Sequence, residues 1–249
     1  MLKEIVIAIQ SWGDARLFIR QHHTFKWIIG PGITYTVLFI AAMYLFWSSS
    51  TDVVAWMNRQ LNIETWLQKE RNQFLSFLFV MNGMMLQIVL VLFYFSLFRT
   101  LILIIGSPLF AFLSEKTEAI IDGRDDYRFN WKDLKKDAIR ATKLALRNVG
   151  WQAVYLFGLI LMSLIPLVGW ITPVIALLME CYYFGFAMLD YSFARNGFTP
   201  SQSAAFSGRH KGLAIGNGFL FYVMHILIFL APAYAIIAAT LSFQKVKNT

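Results

Sequence analysis

A single cysteine, Cys181, stands in a chain of 249 residues, so no intramolecular disulfide framework is available and the redox compartment stays open. Charge is also scarce. Asp, Glu, Lys and Arg make up only 14% of the chain, hydrophobic residues make up 58%, and mean hydropathy is +0.57. An ordinary soluble domain carries about 25% charged residues. The chain further lacks a Walker loop, a dinucleotide fingerprint and any HExxH-like spacing among His22, His23, His210 and His225. With those constellations missing, the sequence predicts no metal centre, no cofactor and no enzyme. Nor is the opening "MLKEIVIAIQSWGD" expected to be a removable leader: its apolar run is short, Glu4 sits where a basic region belongs, and no small-residue cleavage site follows.

Uncharged length is what the sequence has instead. Residues 27–47, "WIIGPGITYTVLFIAAMYLFW", and 74–98, "FLSFLFVMNGMMLQIVLVLFYFSLF", hold no charge at all. Each exceeds the roughly 20 apolar residues that cross a hydrocarbon core of about 30 Å. The chain is therefore read as an all-α integral membrane protein. Its net charge of +8 then reports topology rather than nucleic-acid binding. With spans at 27–47 and 74–98, 18 of the 22 basic residues fall on one side, three fall in 48–73, and Arg99 lies near a boundary. The positive-inside rule predicts both termini in the cytoplasm, in a cell (inner) membrane.

Beyond the two spans the pattern is less regular. From Phe74 to Leu113 only Arg99 is charged, a stretch that as one helix runs roughly 60 Å. Gly106, Ser107 and Pro108 are expected to break it, since proline suits the first turn of a new helix. Residues 131–149 read as a basic amphipathic helix with Lys132, Lys136, Arg140, Lys143 and Arg147 on one face, interrupted by Asp133 and Asp137 and suited to an interface with anionic headgroups. Residues 150–189 and 213–243 look like weak copies of one helical hairpin. The first turns at "IPLVGWITPV", where Pro166, Gly169 and Pro173 reverse an uncharged chain; the second turns near Pro232. Two architectures satisfy this pattern: re-entrant hairpins that only partly penetrate the bilayer, or ordinary short crossings, and charge sidedness does not separate them. The single membrane domain 1–249 thus divides into an N-terminal interfacial helix (1–26), TM1 (27–47), TM2 (74–105), cytoplasmic and interfacial helices (107–149) and hairpins at 150–189 and 213–243.

Four features carry candidate chemistry. "RQHHTFKW" leads into the first span, where Thr24 is placed to cap the helix and leave backbone N–H groups beside Arg20 and Lys26, a physical recipe for holding an oxyanion, or equally an ordinary basic anchor. Arg99 either snorkels to the interface or lies at depth as a functional group. Glu180, inside the first hairpin's second arm, requires a partner or a water-filled cavity. Asp190 and Arg209, the latter within "GRHKG", flank the loop between the hairpins.

The stretches "SPLFAFLSEKTE" at 107–118, "IPLVGWITPV" at 165–174, "YYFGFAMLDYSFARNGFTPSQS" at 182–203 and "FLAPAYAIIAATLSF" at 229–243 resemble, in order and spacing, the CysZ-type sulfate permease and etoposide-induced-protein membrane family. The resemblance covers most of the chain. It implies two long transmembrane helices, two partly penetrating hairpins, cytoplasmic termini, membrane-lipid contacts and a homo-oligomer that buries the hairpins. It also implies passage of a sulfate-like inorganic oxyanion without nucleotide. The family's permeases carry a Gly-Leu-Arg-type anion motif just before the first long helix. Here the corresponding run is His23-Thr24-Phe25-Lys26: histidine stands for the glycine, Phe25 for the first arginine, and Lys26 keeps one positive charge. An ammonium does not reproduce the two-pronged grip of a guanidinium on an oxyanion. The competing expectation is a non-transporting membrane scaffold or lipid-contacting regulatory protein.

Overall fold

The computed structural model describes residues 1–249 apart from 62–72, 124–130, 164, 166, 225, 226, 228, 248 and 249. Some side chains within helices, Arg99's and Lys132's among them, also lie outside the described set. Among the described residues the chain is helical and contains no strand. In order the elements are α1 (Leu2–Gln21), α2 (Phe25–Leu61), α3 (Gln73–Ile121), α4 (Trp131–Ser163), a 3-10 turn (Val168–Ile171), α5 (Thr172–Arg195), α6 (Pro200–Arg209), α7 (Lys211–Met224) and α8 (Ala231–Lys247).

Two expected breaks are absent. Helix α3 runs 49 residues through Gly106-Ser107-Pro108, about 73 Å at 1.5 Å per residue, so the helix that carries TM2 is not broken there. Pro108 has no N–H to give the Ile104 carbonyl. The Ser107 hydroxyl donates to that carbonyl instead, at 2.8 Å, and the helix continues. Likewise α4 joins the basic stretch 131–149 to the first arm of hairpin 1 as one 33-residue helix. The segment 107–149 is thus the end of one long helix and the start of another, joined across residues outside the described set.

Four segments among the described residues are long and apolar enough to cross a membrane: Phe25–Ser49, Met84–Ile121, Ile139–Ser163 and Val168–Arg195. Both arms of hairpin 1 are therefore longer than the short arms read from 150–165 and 174–189. The reversal between them falls where the sequence placed it. Leu167 takes φ +70°, the 3-10 turn follows, and the Thr172 hydroxyl donates to the Gly169 carbonyl at 2.6 Å. Pro166 lies outside the described residues. Hairpin 2 differs: α7 has 14 residues and α8 has 17, about 21 and 26 Å.

Hairpin 2 is the centre of the bundle. In α8, Ala231, Ala233, Ile236, Ile237, Ala238, Ala239 and Phe243 are fully buried. Its neighbours are α1, α2, α3, α5 and α7. Helix α7 crosses α5 at backbone contact: a Cβ at Gly185 would strike the Ala214 carbonyl, and one at Gly218 would strike the Cys181 carbonyl. Small residues are what allow such approach, since lipid gives no hydrophobic drive for helices to associate. Helix α1, read from sequence as interfacial, packs on α7 and α8 through Ala8, Trp12, Ala15 and Phe18. Trp12 Nε1 donates to Asn217 Oδ1 at 3.1 Å, and Asn217 Nδ2 donates to Ser242 Oγ at 3.0 Å, tying all three helices together.

Candidate functional site

The foot of α2 collects the first group of candidate residues in one turn. Arg20 lies in the last turn of α1, His23 takes φ +49°, and α2 begins at Phe25. Arg20, Phe25 and Lys26 are exposed, whereas Thr24 is only 3% exposed. Thr24 does not cap α2 as expected. Its N–H donates to the Ile19 carbonyl at 3.3 Å, its carbonyl accepts from the Trp27 N–H at 2.9 Å, and its hydroxyl has no hydrogen-bond partner among the described residues. The left-handed residue at 23 carries the chain around the corner, so the backbone closes the turn and the hydroxyl is left over. A buried hydroxyl in that state costs about 1–3 kcal/mol.

A third cation stands beside this turn. Trp27 packs on Phe112 of α3 with ring centroids 5.4 Å apart, and Lys116 Nζ lies 5.5 Å from the Trp27 ring centroid. Lys116 was not singled out from sequence, because its proximity depends on how α3 meets α2.

The second group separates in space. Asp190 belongs to a buried ion pair: Arg140 Nη2 lies 2.8 Å from Oδ1, and Nε donates to Oδ2 at 3.1 Å. The same guanidinium also donates to Ser203 Oγ at 2.9 Å and to the Phe198 carbonyl. Arg140 thus leaves the basic stripe of α4 and points into the bundle. Such a fork fixes orientation as well as charge. Glu180 is buried on α5 and accepts from the Tyr222 hydroxyl at 3.5 Å. Arg209 is exposed at the end of α6, its Nε donating to the Ala205 carbonyl at 3.4 Å. Arg99 lies in α3, and its side chain is outside the described residues.

Two small cavities link part of this group along the seam of α3, α4 and α5. One, of about 40 Å³, is lined by Thr100, Arg140, Asn148, Gln152, Asp190 and Arg195 among others. The other, of about 20 Å³, is lined by Gln152 and Glu180 with apolar neighbours. Each exceeds the roughly 10–15 Å³ that one water needs. Gln152 faces both, and accepts from the Ser96 hydroxyl at 3.2 Å. Asn148 and Gln152 were missed from sequence. They sit four apart on one helix face, and this spacing was the available signal. Arg195, which lines the larger cavity, pairs with Glu115 at 3.5 Å; elsewhere Lys245 pairs with Asp14 at 2.6 Å, and His210 Nδ1 lies 2.8 Å from Glu4 Oε1.

The family model described as "Sulfate transporter CysZ/Etoposide-induced protein 2.4" matches residues 12–239. The chain belongs to this family. Among its relatives, "Sulfate transporter CysZ" of Pseudomonas fluorescens (strain Pf0-1) is 25% identical over 221 residues, covering 87% of this chain and 88% of that protein. The protein of the same description from Pseudomonas syringae pv. tomato is 25% identical over 222 residues, with 87% of each covered. That of Pseudomonas fluorescens strain Pf-5 is 29% identical over 152 residues, covering 59% of this chain. The match spans the foot of α2, the α3–α4–α5 seam, hairpin 1 and hairpin 2 as far as Ala239, so the candidate groups all lie within the shared region.

Proposed function

We propose that this protein is a sulfate permease of the membrane, working without nucleotide, with the foot of α2 as the place where the anion is first held. The observation that carries the reading is the family match over 12–239 with relatives described as sulfate transporters. It agrees with four apolar helical segments long enough to cross a bilayer. The site itself is supported by the leftover Thr24 hydroxyl beside Lys26, with Lys116 one aromatic ring away. A hydroxyl donor and two ammonium groups favour a tetrahedral oxyanion, though as point charges rather than as a fork.

In this reading both termini face the cytoplasm, because the basic ends of the helices share one side. Hairpin 1 reaches across or deep into the bilayer, while hairpin 2, about 21 and 26 Å per arm, enters and leaves by the cytoplasmic face inside a protein shell. Asp190 with Arg140 holds the cytoplasmic end of the α3–α4–α5 seam closed, and Glu180 with Gln152 keeps its middle polar. Protomers assemble as a homo-oligomer in the membrane.

Phe25 favours a second reading, a non-transporting membrane scaffold, since the arginine of the family motif is absent there. Uptake of radiolabelled sulfate into liposomes holding the purified protein decides between them. Uptake above that of empty vesicles, saturating and competed by unlabelled sulfate, is the expected result. Uptake equal to empty vesicles would leave the scaffold reading standing.

A further inference from the structure

Outside the seam, α4, α5 and α7 enclose a groove of about 450 Å³ that opens to the exterior, within the roughly 300–1,000 Å³ of small-molecule sites. Its lining is graded. Arg147 of α4 and Lys211 at the start of α7 are its exposed basic residues. One to two turns along α4 from Arg147 come Trp151 and Tyr155, with Tyr182 of α5 also lining the groove, and toward the reversal lie Ile175, Leu178 and Met179. The aromatic wall is continuous: ring centroids of Trp151 and Tyr155 are 6.4 Å apart, and those of Tyr155 and Tyr183 are also 6.4 Å apart. Trp151 and Leu178 are each about half exposed, at 49% and 48%. Among the described residues no carboxylate lines this groove.

We infer that the groove is a binding site for one anionic glycerophospholipid. Cation, then aromatic, then aliphatic is the order in which a lipid changes from phosphate to glycerol to acyl chain. Basic pockets between helices take anionic headgroups on the cytoplasmic side, aromatic rings prefer the interfacial level, and Arg and Lys keep their charges at the surface while their stems follow apolar walls. A zwitterionic headgroup would offer its phosphate but bring a further cation to a rim that already holds two. A second copy of this chain would have to bring acids to that rim and apolar side chains below it. Placing the lipid in the inner leaflet rests on the orientation proposed above, but the site itself does not.

Native mass spectrometry of the purified, delipidated full chain in detergent tests this, with phosphatidylglycerol and phosphatidylcholine of equal acyl length as probes. The wild type is expected to retain one phosphatidylglycerol roughly tenfold more tightly than phosphatidylcholine, each basic residue contributing severalfold. Inorganic phosphate at the same concentration is not expected to displace it, since the acyl chain is part of the grip. Arg147→Gln with Lys211→Gln, both exposed rim positions, should erase the headgroup preference. Leu178→Trp, which fills the groove, should weaken both lipids. Equal retention of the two lipids by wild type, displacement by free phosphate, or a preference untouched by the rim variants would overturn the proposal. So would a protein dimer that Leu178→Trp dissociates while lipid binding is unchanged. The measurement is blind to sidedness and transport, so its failure leaves the permease reading intact.

Discussion

Hairpin 1 turns Val154, Phe157, Leu161 and Val174 outward, each at least half exposed, while α8 of hairpin 2 keeps Ala233, Ile236, Ile237, Ala238 and Ala239 at 0% to the same measure. Both hairpins are apolar arms around a proline-bearing reversal, yet the first arm of hairpin 1 turns large side chains outward while α8 of hairpin 2 is enclosed by protein. Hydropathy does not explain the difference, because lipid tails are as apolar as a leucine-rich neighbour. Size does. Hairpin 1's outward residues are large, and a methyl group added at Gly150 or Gly158 would meet nothing within 4 Å. Hairpin 2 holds five alanines in α8 and, in α7, glycines whose backbones touch other helices. Small residues bring backbones close, and close backbones bury polar side chains that must then pair, as Trp12, Asn217 and Ser242 do, and as Ser192 does with Thr240 at 2.9 Å. The lesson is that a membrane core is built by shape and hydrogen bonding, with apolarity as a shared background.

The contrast is most open to attack at its glycines. Gly218→Leu forces a side chain into the Cys181 carbonyl, where backbone on both sides blocks retreat, so loss of a monodisperse protein peak on size exclusion is the expected result. Gly158→Leu in hairpin 1 should elute as wild type. If both variants elute normally, the α5–α7 crossing is looser than described.

Next in size is the Arg140–Asp190 pair, where the side chains are 17% and 7% exposed. Asp190→Asn leaves a buried guanidinium without its counter-charge and is expected to cost about 3–5 kcal/mol, read as a fall in the thermal midpoint in detergent. Arg140→Met with Asp190→Leu should recover much of that loss, because removing both charges removes the penalty together with the attraction. A double variant no better than the single one would show that the contacts to Phe198 and Ser203 matter more than the charge.

A smaller effect is expected from Asn217→Ala, which strands Trp12 Nε1 and Ser242. Interhelical hydrogen bonds in membranes are worth up to about 1.7 kcal/mol each, so a drop of about 1–2 kcal/mol in stability is anticipated. The smallest belongs to hairpin 1: Gly158→Ala should raise stability by up to about 1 kcal/mol, since the helix gains propensity and meets no neighbour. A loss on Gly158→Ala would mean that another surface covers this face in the assembled protein.

How much of this was legible in the sequence follows the same division. The start of the first span, the 165–173 reversal and the apolar arms were readable, because charge, proline and glycine act locally. The passage of α3 through Pro108 was not, since it depends on Ser107 reaching one particular carbonyl. Asp190 was picked out as a candidate, but its partner Arg140 lies 50 residues away and was assigned to a surface stripe. The burial of hairpin 2 within one protomer was missed as well. Gly212, Gly216 and Gly218, followed by the alanines of α8, were its signal. At the foot of α2 the expected role of Thr24 as a cap was wrong: the turn at His23 satisfies the backbone without it.

The central claim is that sulfate is held at that foot by one hydroxyl and scattered positive charge rather than by a guanidinium fork. Calorimetry of sulfate binding in detergent, comparing wild type, Lys26→Glu and Phe25→Arg, addresses it most directly. Wild type should bind weakly and lose affinity as salt rises, because exposed charges are screened within about 8 Å at physiological ionic strength. Lys26→Glu should abolish binding, since a carboxylate at the helix N-terminus occupies the place of the anion, and Phe25→Arg should tighten it by restoring a two-pronged contact. Sulfate binding by Lys26→Glu equal to wild type would contradict the account and leave Lys26 as a topological anchor alone.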